Sequence, residues 1–172
     1  MLASTSASVS QFVTEVARLK AALPADVVDT LARYEAIGDY RHPDYETAVL
    51  QFYLRHVHRG WPIPDGLVRT AANVANSSTY ASMWGPNEFT CTGTLSAWNR
   101  ADRLGEIAVP TLVTVGRYDE VTIACTETLA QGIPDAELVI FEHSAHVSHL
   151  EERDRYMDVV AGFLRRTDTP NV

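Results

Sequence analysis

From Phe12 to Leu23 the apolar positions Phe12, Val13, Val16, Leu19 and Leu23 recur three and four residues apart, which predicts one face of an amphipathic helix. A Ser-rich, small-residue stretch precedes it, and Pro24 opens a turn. From Ala25 to about Val109 the pattern is mostly helical with several breaks. Pro43, Asp44 and Glu46 have the composition of a helix start, and Tyr45, Ala48, Val49, Phe52, Tyr53 and His56 then fall on one face. That helix is expected to stop near Gly60, because Trp61-Pro62-Ile63-Pro64-Asp65-Gly66 is too rich in Pro and Gly to continue it. Helix is expected to resume from Leu67 towards Met83 and to end at Gly85-Pro86-Asn87.

The last third reads differently. Pro110-Thr111-Leu112-Val113-Thr114-Val115-Gly116 is a continuous apolar, β-branched run ended by Gly, which fits a strand buried on both faces of a parallel sheet. A helix from Val121 to Gln131 follows, stopped by Gly132 and Pro134. Glu137 to Phe141 reads as a second strand, and Glu151 to Arg166 as a final helix with acids at its start and two Arg at its end, as the helix dipole favours. Strand, helix, strand, loop and helix make a right-handed α/β unit. In open parallel sheets ligands collect at the carboxyl ends of the strands. Asp119 and Glu120 lie just past the first of these strands, and His143, His146 and His149 just past the second.

Composition narrows the classes of function. The chain has 172 residues, 46% hydrophobic and 21% charged, as expected of one ordinary globular domain. A net charge of −8 disfavours nucleic acid, whose phosphates it would repel. With Lys20 as the single lysine there is no polybasic patch for an anionic membrane. Met1 to Lys20 has neither a basic start nor a long apolar run, so a cytoplasmic location is expected. Cys91 and Cys125 stand alone, without CxxC or Cys/His spacing, and read as reduced thiols, with a single bridge left open. His143, His146 and His149 have the spacing of a metal cluster, but they lie on an irregular segment without paired Cys or acidic ligands, and neither metal nor cofactor is expected.

An acid beyond one strand and a His beyond the next are two parts of a relay, in which a carboxylate fixes the tautomer of an imidazole that acts as general base. Spacing alone leaves a solvated acid and a solvated His as an equal alternative. Chain order favours the relay, because in α/β-hydrolases the nucleophile, acid and His follow one another in that order.

Gly116-Arg117-Tyr118-Asp119-Glu120-Val121, His143-Ser144-Ala145-His146 and Leu150-Glu151-Glu152, preceded by Gly85-Pro86-Asn87-Glu88-Phe89, together resemble the proline iminopeptidase branch of the α/β-hydrolases. The resemblance covers nearly the whole chain. It implies the C-terminal part of an α/β-hydrolase fold, late parallel strands with flanking helices, plus a mostly helical cap. Residues 1–23 would be a late core strand and helix, 24–109 the cap, and 110–172 the C-terminal core. It makes Asp119 the triad acid and His146 the general base, with His143 and His149 at the surface or behind the site. It also makes Glu88 and Glu120 the carboxylates that hold the free N-terminal amine of a small peptide or amino-acid amide. An ammonium is naturally recognised by anions in a partly dry pocket. Trp84 and Phe89 would line a slot for a proline ring or belong to the cap core.

One element of the pattern departs from the family. No GxSxG nucleophile elbow occurs among the 172 residues, and Ser4, Ser6, Ser8 and Ser10 lack flanking glycines. The expectation is therefore a serine aminopeptidase or amidase by descent, present as a truncated chain that is inactive alone. Half of a split hydrolase, completed by an N-terminal partner half, and a non-catalytic interaction module stand as alternatives.

Overall fold

A computed structural model describes residues 1–168. Three parallel strands form the sheet in the order β1 (Leu2–Ala3), β2 (Thr111–Gly116), β3 (Ala136–Phe141). β2 lies in the middle, hydrogen-bonded on both sides, and all six of its residues are buried. That is why its sequence is an unbroken apolar and β-branched run. Register pairs Leu2 with Val113 and Gly116 with Phe141, so β2 and β3 end level.

Between β1 and β2 the chain runs through α1 (Val9–Ala21), α2 (Ala25–Ile37), α3 (Pro43–His56), α4 (Asp65–Ala75), α5 (Ser78–Met83) and a 3-10 turn at Ala101–Glu106. Ser8 caps α1, accepting the Gln11 N–H. Phe12 and Val16 of α1, Leu31 and Tyr34 of α2, and Tyr45, Ala48, Val49 and Phe52 of α3 bury their apolar faces in one cluster. Phe89 belongs to it, 5.1 Å from the Phe52 ring, and so is core; Trp84 packs on Phe12 from the edge. A second cluster, Ala7, Leu104, Val113, Leu129 and Ile133, backs the sheet.

Boundaries depart from the predicted ones where side chains intervene. The run predicted from Leu67 to Met83 is two helices, because Asn76 ends α4 and Ser77 caps α5 by accepting the Tyr80 N–H. α3 ends at His56, four residues before Gly60. α6 (Ile123–Gly132) starts after Thr122, two residues later than expected. The final helix is interrupted: α7 (Ser148–Glu151) and α8 (Arg153–Thr167) are separated by Glu152 in a non-helical turn conformation. Glu152 is held there because its carboxylate accepts from the His143 N–H and the Ser144 hydroxyl. Cys91 and Cys125 are both free thiols. Among the described residues no helix is long and apolar enough to cross a membrane.

Candidate active site

Gly116 brings the two strand ends together. A Cβ there would lie 2.1 Å from the Ala145 carbonyl oxygen, so only glycine admits the loop after β3 this close to the end of β2. Tyr118 N–H then donates to the Ser144 carbonyl at 3.0 Å, and Asp119 turns inward. Its Oδ1 accepts the Val121 N–H at 2.9 Å, a side-chain turn that orients the carboxylate. The same Oδ1 lies 2.9 Å from His146 Nδ1. Asp119 is almost fully buried, whereas the His146 side chain is 34% exposed.

Glu120 is buried too, with Oε1 3.9 Å from His146 Nδ1 and Oε2 enclosed without a hydrogen bond. Glu88 reaches the same place from the loop after α5. That loop is pinned to the cap by Asn87, which donates from Nδ2 to the Tyr45 hydroxyl at 2.6 Å and accepts the Phe89 N–H at Oδ1. Trp84 Nε1–H donates to the Asn87 and Glu88 carbonyls. The structure thus brings together all four residues singled out in the sequence, Asp119, His146, Glu88 and Glu120, beside two cavities of about 750 and 820 Å³ that share Glu88, Glu120 and His146 in their walls.

The electrostatics follow from three acids around one imidazole. Burial pushes His146 towards its neutral form, but the hydrogen bond and charge of Asp119, with the charges of Glu120 and Glu88, outweigh it and raise the imidazole to about 9. Glu120 is held well above the ordinary carboxylate range by burial and then by the charge of Glu88. Burial raises Glu88 as well, while Tyr80 and His146 pull it back. An additional cation placed between these groups would lower both glutamates and His146 together. With Nδ1 held by Asp119, the nitrogen left for proton exchange in the cavity is His146 Nε2.

Two cavity residues were not legible in the sequence. Tyr80 sits beside Glu88 with its hydroxyl buried, and burial with the Glu88 charge raises its phenol strongly. Tyr53 of α3 is raised by burial and by Glu88 and Glu120. Nothing in the local sequence distinguishes either from a cap-core tyrosine. His143 is exposed, and His149 is exposed with its ring against Tyr156, so the three histidines diverge. Among the described residues no three His, Cys, Asp or Glu side chains are grouped to hold a metal ion. Ser4, in positive-φ backbone after β1, donates its hydroxyl to the His146 carbonyl oxygen and not to the imidazole.

Parallel strands, flanking helices, and an acid and a His at consecutive strand ends define an α/β-hydrolase. Solved structures agree: the chain superposes on VinJ with a TM-score of 0.93 at 39% identity, and on proline iminopeptidase of Mycobacterium smegmatis with 0.87 at 37%, covering 96% of this chain and 56% of each. Among curated proteins, proline iminopeptidase of Saccharolobus solfataricus is 39% identical over 96% of this chain, and that of Thermoplasma volcanium 36% identical over 92%. The chain belongs to the proline iminopeptidase branch of the α/β-hydrolases and corresponds to the C-terminal part of these relatives. It spans about half of their length, 53% and 54%. No family model matches it.

Proposed function

We propose that these residues supply the acid, the base and the amine-binding cap of a serine hydrolase that releases an N-terminal residue, proline or another small one, from a peptide or amide. The observation that carries this is the convergence of His146, hydrogen-bonded to Asp119 behind it, with Glu88 and Glu120 on one cavity wall. Asp119 holds the imidazole in the tautomer with Nδ1 protonated, so Nε2 accepts the nucleophile's proton and returns it to the leaving amine. Glu88 and Glu120 anchor the substrate ammonium and thereby place the adjacent carbonyl. Substrate binding also prepares the base, because a bound ammonium neutralises the charges that keep His146 protonated.

No GxSxG occurs in the 172 residues, so the nucleophile comes from polypeptide outside them, and the chain alone does not turn over substrate. Residues 1–23 and 110–172 act as late core, 169–172 lying outside the described residues, and 24–109 as cap, apart from the 3-10 turn whose Leu104 packs with Val113 and Leu129 behind the sheet.

The test is hydrolysis of a chromogenic proline anilide by the chain combined with an N-terminal hydrolase portion bearing the elbow. Release of the anilide by the combination, and its loss when the proline nitrogen is acetylated, is the expected result. Equal rates on the free and acetylated substrates would overturn the amine-binding assignment. No hydrolysis by a soluble, associated pair would overturn the relay and favour a binding module.

A further inference from the structure

Glu151, at the end of α7, plays no part in the relay described above, yet its carboxylate is enclosed, with the side chain 7% exposed. Oε2 accepts the Ala145 N–H at 2.6 Å, immediately before His146. Oε1 accepts the Arg59 N–H at 2.6 Å and lies 3.5 Å from Nδ1 of the buried His58. On the other side of His146, the Val147 N–H donates to the Val57 carbonyl at 3.3 Å. His146 is therefore flanked on both sides by bonds that lead to residues 57–59, the stretch directly after cap helix α3. The same stretch reaches the acid loop, since Glu120 N–H donates to the His56 carbonyl.

A buried carboxylate is tolerated only where strong donors compensate it, and two short backbone bonds do so here. A carboxylate also suits the position chemically. Both its oxygens accept, whereas an amide would turn an NH₂ towards one of the two N–H donors. Neighbouring Glu152 serves the loop differently, holding His143 and Ser144 without a bond to the cap.

We infer that Glu151 is a positioning residue for His146, and that it couples cap residues 57–59 to the Asp119–His146 pair. The functional meaning of this coupling rests on the relay proposed above. The coupling itself is measured on the 172-residue chain without substrate.

In ¹⁵N-labelled protein the Arg59 and Ala145 amide protons are expected far downfield, as short bonds to a carboxylate require. Glu151→Gln is expected to move both upfield together and to lower the His146 titration midpoint, about 9 in the parent, by about one unit as the Asp119 bond loosens. Gly60→Ala approaches the joint from the cap, because its Cβ would sit 2.9 Å from Nε2 of the His58 ring, whose Nδ1 lies 3.5 Å from Glu151, and that ring must shift. It is expected to shift Arg59, Ala145 and His146 signals together, and it decides the matter if Glu151→Gln does not fold. A folded Glu151→Gln protein with an unchanged His146 midpoint would overturn the inference. So would a Gly60→Ala effect confined to residues 57–61. Asp119→Asn separates the two ideas: an unmoved His146 midpoint there sinks the relay, whereas the coupling is judged from Ala145 and Arg59.

Discussion

β2 and α4 show how unequally the chain is held. Every residue of β2 is buried and paired with β3, and Val113 and Thr114 pair with β1 as well, whereas α4 has no buried residue and Val68 is 55% exposed. The two loops that carry Asp119 and His146 leave the sheet at matched register and are locked by the Gly116 approach, so the pair's geometry is over-determined. The cap packs on α1, Val121 and Cys125 through the cluster around Phe52, and reaches the site through Glu88, on the loop held by the Asn87–Tyr45 bond, and through the stretch 56–59. Asp119, His146 and Glu120 thus come from the more buried region and Glu88 from the less buried cap, as expected when scaffolds carry adaptable segments.

The largest expected contrast is catalytic. In the enzyme completed with its nucleophile, Asp119→Asn should lower kcat about 10⁴-fold with KM little changed, since it removes the group that fixes the His146 tautomer. Steady-state kinetics on a proline anilide checks this, and a kcat within about tenfold of the parent would break the assignment. Next comes the core: Leu112→Ala, at a fully buried β2 position, should cost about 3 kcal/mol in a urea unfolding curve. Glu88→Gln should weaken free-amine substrates by roughly 10- to 100-fold in KM, the worth of about 1.5–3 kcal/mol for a bond to a charged group, and leave acetylated analogues alone.

A smaller effect tests the charge arrangement. Glu120 is raised in the folded state, so ionising it opposes folding once pH rises above the ordinary carboxylate range. Glu120→Gln should therefore raise Tm by a few degrees at pH 8, from relief of about 1–2 kcal/mol, and by little at pH 4. His146 acts in the same pH direction. Its folded-state midpoint of about 9 gives stability that is full below about 6.5 and disappears as pH rises through 9. The smallest change belongs to α4, where Val68→Ala should stay within about 0.5 kcal/mol. A cost near that of Leu112→Ala would show that α4 is packed far more tightly than its exposure indicates.

Much of the fold was legible because its signals are local. The run from Thr111 to Gly116 fitted a buried strand and the Phe12 to Leu19 spacing one helical face, and both were observed, with Leu23 falling just beyond the end of α1 at Ala21. Strand-end position marked Asp119 and Glu120 beyond β2 and His143, His146 and His149 beyond β3 as candidates, and only the family resemblance chose Asp119 and His146 among them. Glu151 was visible as an acid at a helix start and as part of the Leu150-Glu151-Glu152 resemblance, neither of which points to His58, Arg59 or Ala145. Phe89 and Trp84 were indistinguishable until packing put the first against Phe52 and the second at the cavity wall.

Periodicity, breakers and strand-end position, all set by neighbours within a few residues, determined the main elements and their order and put Asp119, Glu120 and three histidines at strand ends, while the family resemblance singled out Asp119 and His146. Tertiary structure decided what depends on distant segments closing on one another. It set which cap acid meets which core acid, why three acids raise His146 above its ordinary range, and how one buried glutamate ties residues 57–59 to the loop before His146. Such convergence has no local signature, because desolvation and charge coupling exist only once the chain has excluded water between those groups.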